Sequence, residues 1–188
     1  PLTVGVDDTG HNVKFFGATS GRYMEWDESA DSLILVDNVQ LQLGSSSDIR
    51  MLHDGTDSKI RSTTSDLYII QEADDKDIIF QSDDNSGGVT EYFKLDGGTS
   101  KTIFSKNVEF GDNVELQMGG STGLKIEHNG THSYFDNSTG DIIFRQYADD
   151  KDIKFQCDDG AGGLTEYFRL DGSLATHDGS STLTMYTK

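Results

Sequence analysis

Between Val39 and Leu43 every second residue is apolar: Val39, Leu41 and Leu43 alternate with Gln40 and Gln42. Ile49 and Met51 flank Arg50 in the same way, Leu67 and Ile69 are two apart, and so are Ile78 and Phe80. A spacing of two places side chains on one face of a strand, so each stretch is predicted as a short strand with one apolar face. Between them lie Asp, Asn, Gly and Ser, which favour tight reversals. His-Asp-Gly at 53–55 and 177–179 and His-Asn-Gly at 128–130 are turn signals of this kind. Strands of about five residues at intervals of about ten predict an all-β chain. No stretch holds apolar residues at helical spacing over the ~11 residues a helix reading needs.

The pattern is written twice. "ADDKDIIFQSDDNSGGVTEYFKLDG" at 73–97 returns as "ADDKDIKFQCDDGAGGLTEYFRLDG" at 148–172, an offset of 75. The match runs without a gap from Asp37 and Asp112 to Gly97 and Gly172. Roughly half of the positions are identical, the mark of a repeat architecture. The copies also act as an internal experiment. Val114, Leu116 and Met118 keep the apolar series of Val39, Leu41 and Leu43; Ile153 and Phe155 keep Ile78 and Phe80, while Ile79 between them becomes Lys154. Ile142 and Phe144 repeat Leu67 and Ile69. Residues 12–26 loosely parallel 113–128, and "DSLILV" after them reads as a further strand. The expected division is a short N-terminal segment (1–32), repeat units at 33–107 and 108–182, and a tail (183–188), stacked in one elongated body.

Composition changes the picture in one respect. Only 34% of residues are hydrophobic and the formal net charge is −18, yet 10% are aromatic. Low apolar content with high charge leans toward disorder, whereas aromatic rings need something to pack against. The chain is read as folded but poor in core, and such a chain gains burial by associating with copies of itself. Against 33 acidic residues stand 15 basic ones with no basic run, which argues against nucleic acid and against an anionic membrane surface. No apolar stretch approaches the ~20 residues of a membrane helix, so no membrane insertion is expected. Cys157, the one cysteine, stands where the earlier copy has Ser82; it is read as a small half-buried side chain with no intrachain disulfide.

Narrow apolar faces and exposed strand edges call for a larger assembly. A single-chain solenoid would repeat every ~20–30 residues, which the period here does not fit. The favoured architecture is an elongated, repetitive, intertwined homotrimeric β-helix or β-prism fibre, with rings of Ile, Leu and Phe on its axis. The runs "GVDDTGHNVKFFGATSGRYMEWDESADSL", "DLYIIQEADDKDIIFQSDDNSGGVTEYFKLDG" and "HNGTHSYFDNSTGDIIF" resemble repeats of tail-fibre and related fibrous virion proteins of tailed bacteriophages, marine ones especially. The resemblance spans almost the whole chain and carries no catalytic residue. It implies a trimeric β-rich shaft in a virion, as a tail fibre or capsid-surface appendage, with other virion proteins and a host cell-surface glycan as partners. The alternatives are a carbohydrate-binding adhesin and, behind it, a tailspike polysaccharide depolymerase.

Candidate chemistry is weighed against plainer roles. Asp74, Asp75 and Asp77 recur as Asp149, Asp150 and Asp152, and Asp83 and Asp84 as Asp158 and Asp159. Paired carboxylates can hydrolyse glycosides and oxygen-rich turns can hold calcium. Their duplication on predicted turns instead favours solvated caps accepting backbone N–H bonds. His53, His128 and His177 each open a turn, His132 follows His128 by four, and His11 stands alone. One His per chain on a three-fold axis would make a metal site; turn roles are preferred. In "TEYF", Glu91 and Glu166 precede Tyr92 and Tyr167; Phe93 and Leu95 are assigned to the core and both tyrosines outward. With Tyr23 and Trp26 they could stack on sugars, though outward Tyr is commonly amphipathic cover. Asn129 and Asn137 begin glycosylation-type triplets. Nucleotide-, hydrolase- and zincin-type motifs do not occur. No catalytic, cofactor-binding or metal-binding residue is assigned, no cofactor is expected, and the chain is read as not an enzyme.

Overall fold

The computed structural model describes residues 2–120 and 123–174 and the backbone of 183–185. The chain divides into two compact units, Pro1–Lys106 and Asn107–Lys188. Both are all-β, and every sheet is an open antiparallel meander of three consecutive strands.

The first unit holds three sheets. They are β1 (Val13–Phe16), β2 (Tyr23–Asp27) and β3 (Ser32–Leu35); β4 (Leu41–Leu43), β5 (Ile49–His53) and β6 (Ser58–Ser62); and β7 (Ile78–Asp83), β8 (Val89–Asp96) and β9 (Lys101–Phe104). The second unit holds two: β10 (Leu116–Met118), β11 (Leu124–His128) and β12 (Ser133–Asn137); and β13 (Ile153–Asp158), β14 (Leu164–Leu170) and β15 (Leu183–Met185). A single 3₁₀ turn, Gly172–Leu174, follows β14. Strands β4 to β8 and β10 to β14 correspond at the 75-residue offset. The closing strand β15 lies in the stretch expected to be a tail, and pairs Leu183 with Leu170.

The turns are made by local side-chain acceptors, and both copies make them alike. Asp84 Oδ1 accepts from the backbone N–H groups of Ser86 (2.8 Å) and Gly88 (3.0 Å). Asp159 Oδ1 accepts from Ala161 (2.7 Å) and Gly163 (3.0 Å). Asp54 Oδ1 caps Thr56 and Asp57, and Asn129 Oδ1 caps Thr131 and His132. These side chains supply the acceptor that a reversing backbone lacks. One glycine is held by space at the same place in both copies. A Cβ on Gly97 would stand 2.3 Å from the Lys76 carbonyl oxygen, and one on Gly172 2.3 Å from that of Lys151.

Two features depart from the expected pattern. Leu67 with Ile69 and Ile142 with Phe144 carry strand alternation, but neither stretch forms a strand. A strand needs a ladder partner, and the described part of this chain offers none there. The second is a bulge: Phe80 faces Phe93 but Gln81 faces Glu91, so Tyr92 has no opposite residue. Phe155, Gln156 and Tyr167 repeat it. A bulge breaks the alternation of faces, so the two-residue rule fails across "TEYF".

The described residues contain no buried hydrophobic side chain; Asp171, at 7% exposure, is the one buried residue among them. Phe93 and Leu95 do share a face, but in the single chain Phe93 is half-buried and Leu95 exposed. The core assigned to them is absent among the described residues of the single chain, where each meander is a single layer of three strands. Cys157 is likewise exposed rather than half-buried.

Candidate self-association surface

Register gives each sheet a largely apolar face and an opposite face where charged residues mix with apolar ones such as Ile34, Leu52, Ile79 and Ile103. In the β7–β8–β9 sheet one row joins Phe80, Phe93 and Phe104, and the next joins Ile78, Leu95 and Thr102. The Phe80 and Phe93 rings stack at 4.4 Å, and Phe93 meets Phe104 at 5.9 Å. Phe155 and Phe168 repeat the stack at 4.3 Å. The smaller sheets do the same with Leu41, Met51 and Ile60, and with Leu116, Ile126 and Phe135. In the first sheet the rows are Val13, Trp26 and Leu33, and Phe15, Met24 and Leu35. Among the described residues, each of these rows keeps at least one exposed apolar side chain in the single chain.

The opposite faces carry charge. Lys94 Nζ lies 2.8 Å from Asp77 and 3.0 Å from Asp96. The Lys94 ammonium, helped by the Thr99 hydroxyl, pulls the Asp96 carboxyl down to about 2. It lowers Asp77 as well, assisted by the Gly97 N–H, and the two carboxylates together raise Lys94. In the second copy Arg169 takes the place of Lys94, 2.7 Å from Asp171 and 3.6 Å from Asp152. The Ser173 hydroxyl, then burial working against it and the Arg169 charge, leave Asp171 below the usual carboxylate range.

The acidic residues singled out from the sequence are distributed among turns. Asp77 and Asp152 accept from Gly97 N–H (3.0 Å) and Gly172 N–H (3.1 Å). Asp75 and Asp150 hold left-handed turn positions, with φ of 55° and 58°. Asp83 and Asp158 cap Asn85 and Gly160. The loop N–H groups lower Asp84 and Asp159, mainly those of Gly88 and of Ala161. Asp74 and Asp149 are exposed beside them.

His53 and His128 end strands β5 and β11 at the start of a turn. His53 Nδ1 is 2.9 Å from Asp37 Oδ1, and His128 Nδ1 is 3.1 Å from Ser133 Oγ. His132 meets the edge of Tyr134 at 6.3 Å. His11 is exposed and His177 lies outside the described residues. Among the described residues, no group of three or more His, Cys, Asp or Glu is placed to hold a metal ion. Tyr92 and Tyr167 are exposed, and each donates its hydroxyl at 3.2 Å to a strand carbonyl, of Asp83 and Asp158. Tyr23 is half-buried under Lys14, whose ammonium sits 4.0 Å from the ring centre. Glu91 accepts from the Ser105 hydroxyl at 2.7 Å.

What the arrangement can do is associate. The chain exposes 15264 Å² at a mass of 20.6 kDa. A compact monomer of this mass exposes about 8,900 Å², and two separate compact bodies of half the mass about 10,700 Å² together. Against the compact monomer the excess is about 6,400 Å², several times the ~800 Å² each partner gives to a standard interface. The sequence left one part of this surface unseen: a groove of about 450 Å³ between Ile69–Ile70 and the Ile78, Leu95 and Thr102 row. The signal was the strand alternation at Leu67 and Ile69 itself. The chain matches no protein-family model, no curated protein and no solved structure.

Proposed function

We propose that the chain is a non-catalytic structural protein of a bacteriophage virion, a segment of a trimeric tail fibre or capsid appendage that forms a stiff rod. The observation that carries this reading is the set of five single-layer sheets with exposed apolar rows and, among the described residues, no buried hydrophobic side chain. Copies of the chain laid face to face cover those rows and turn the charged faces outward. The virion setting and the number three come from the resemblance of the repeated runs to phage fibre proteins. A structural role also suits the repeated acidic residues: Asp77, Asp83 and Asp84, like Asp152, Asp158 and Asp159 in the second copy, are engaged as turn caps or ion-pair partners. The exposed turns along such a rod are the places where it touches host glycans, and its ends meet other virion proteins.

The test is the native mass by light scattering after size exclusion, with an unboiled detergent gel beside it. Three times the 20.6 kDa chain, surviving detergent, is expected. A monodisperse single-chain mass over a wide concentration range would refute it.

A further inference from the structure

Each copy of the repeat contains one strand-forming stretch that the fold leaves without a partner. Residues 66–70 read DLYII, and 75 positions on, residues 141–145 read DIIFR. Neither belongs to a sheet. Among the described residues, no hydrogen bond of backbone or side chain reaches either stretch. Tyr68 is 74% exposed, Ile70 68% and Ile143 61%. Phe144 keeps a single ring contact, with Phe135 at 6.1 Å. A groove lies directly beside the first stretch, with Ile69 and Ile70 as one wall and Ile78, Leu95 and Thr102 as the other, and with Lys76, Asp96 and Lys101 at its rim.

We infer that residues 66–70 of one copy lie as an added strand in this groove of a second copy of the chain, and that residues 141–145 do the same beside Ile153 and Leu170. The inference rests on the proposed self-assembly and names the segments that carry it. Strand addition satisfies bare backbone groups and buries alternate side chains at once. Three observations make a second copy the occupant. Donor stretch and apolar sheet row recur together at the same offset, so donors and acceptors are equal in number, as an assembly of identical chains requires. The excess exposed area is far larger than a short peptide covers and needs a partner of the chain's own size. Finally, copies of net charge −18 repel one another, which favours a contact made mainly by apolar side chains, and residues 67–70 are Leu, Tyr, Ile and Ile and residues 142–144 Ile, Ile and Phe.

The experiment is hydrogen exchange on the full-length wild-type protein, with light scattering on the same sample. In a trimer, the amides of 66–70 and 141–145 should exchange on the order of a hundredfold more slowly than that of Gly87 in the open turn between β7 and β8. Ile69→Asp combined with Phe144→Asp should bring the mass down to a single chain. Ile79→Lys should leave it unchanged. Ile79 is just as open at 51% exposure, but it pairs with Lys94 on the polar face, and the second copy already carries Lys154 there. A trimer whose 66–70 amides exchange as freely as the turn overturns the inference and leaves the proposed assembly standing. So does a doubly substituted chain that keeps the trimer mass. A wild-type single-chain mass overturns both.

Discussion

Gly97→Ala adds one methyl group and should cost more than its size suggests. The new Cβ would stand 2.3 Å from the Lys76 carbonyl oxygen, with the Lys76 carbonyl carbon at 3.2 Å and its nitrogen at 3.3 Å. The obstacle is backbone, so no side chain can swing away to relieve it. The turn before β7 must move away from the end of β8, and the Gly97 N–H bond to Asp77 at 3.0 Å moves with it. Overpacking of this kind costs about 1–3 kcal/mol. At this chain length each kcal/mol shifts Tm by about 2–4 °C, so a fall of about 2–12 °C is expected. The neighbour supplies the control. A Cβ on Gly98 would meet nothing nearer than 3.6 Å, and Gly98 has no left-handed φ. Gly98→Ala should therefore leave Tm unchanged or raise it by restricting the unfolded chain. Gly172→Ala repeats the experiment in the second copy, where Lys151 presents the same carbonyl. Scanning calorimetry of the four proteins decides the matter. Gly97→Ala melting with wild type, or Gly98→Ala losing as much, would show that the close approach is not a constraint.

Three other outcomes are expected. Asp84→Ala and Asp159→Ala each remove the acceptor for two loop N–H groups; amide exchange at Ser86, Gly88, Ala161 and Gly163 should accelerate, and Asp84→Asn, which keeps an acceptor oxygen, should restore most of the protection at Ser86 and Gly88. Asp96 falls from an ordinary 3.8 to about 2 in the fold, so its contribution is complete above pH 4 and lost as pH drops through 2; the Thr99 amide should stay protected at pH 3, and loss of protection already at pH 4 would contradict the Lys94 pairing. Raising salt from ~10 mM to ~150 mM shortens the Debye length from about 30 Å to about 8 Å, so self-association of chains at net charge −18 should strengthen in sedimentation; weakening would mean that ion pairs hold the copies together.

Local chemistry was the legible part of this sequence. Strands around Leu41, Ile49 and Ile78 stand where alternation puts them, because a period of two is a property of one strand. The acidic turns were legible for the same reason: Asp84 finds its N–H donors within four residues. Tyr92 was harder, since a bulge is fixed by the partner strand, and "TEYF" reads as plain alternation. Leu67 and Ile69 show the deeper limit. Their pattern specifies a strand, but a strand also needs a neighbour, and neighbours are not written in the segment itself. The apolar rows could be drawn from the repeat, but that Leu95 stays exposed in the single chain is a tertiary fact. Cys157 was expected to be half-buried for want of that same knowledge.

The bare apolar faces have a thermodynamic signature. An unfolded chain of this mass exposes about 29,900 Å², so unfolding a single copy from 15264 Å² uncovers about two-thirds of what a compact protein of this mass would. Denaturant slope and heat-capacity change both scale with the surface uncovered. A lone copy therefore melts over a broad range and has a flat stability curve. In the proposed assembly the missing third is uncovered when copies separate, so the steepness of melting, and not only its midpoint, should rise with protein concentration.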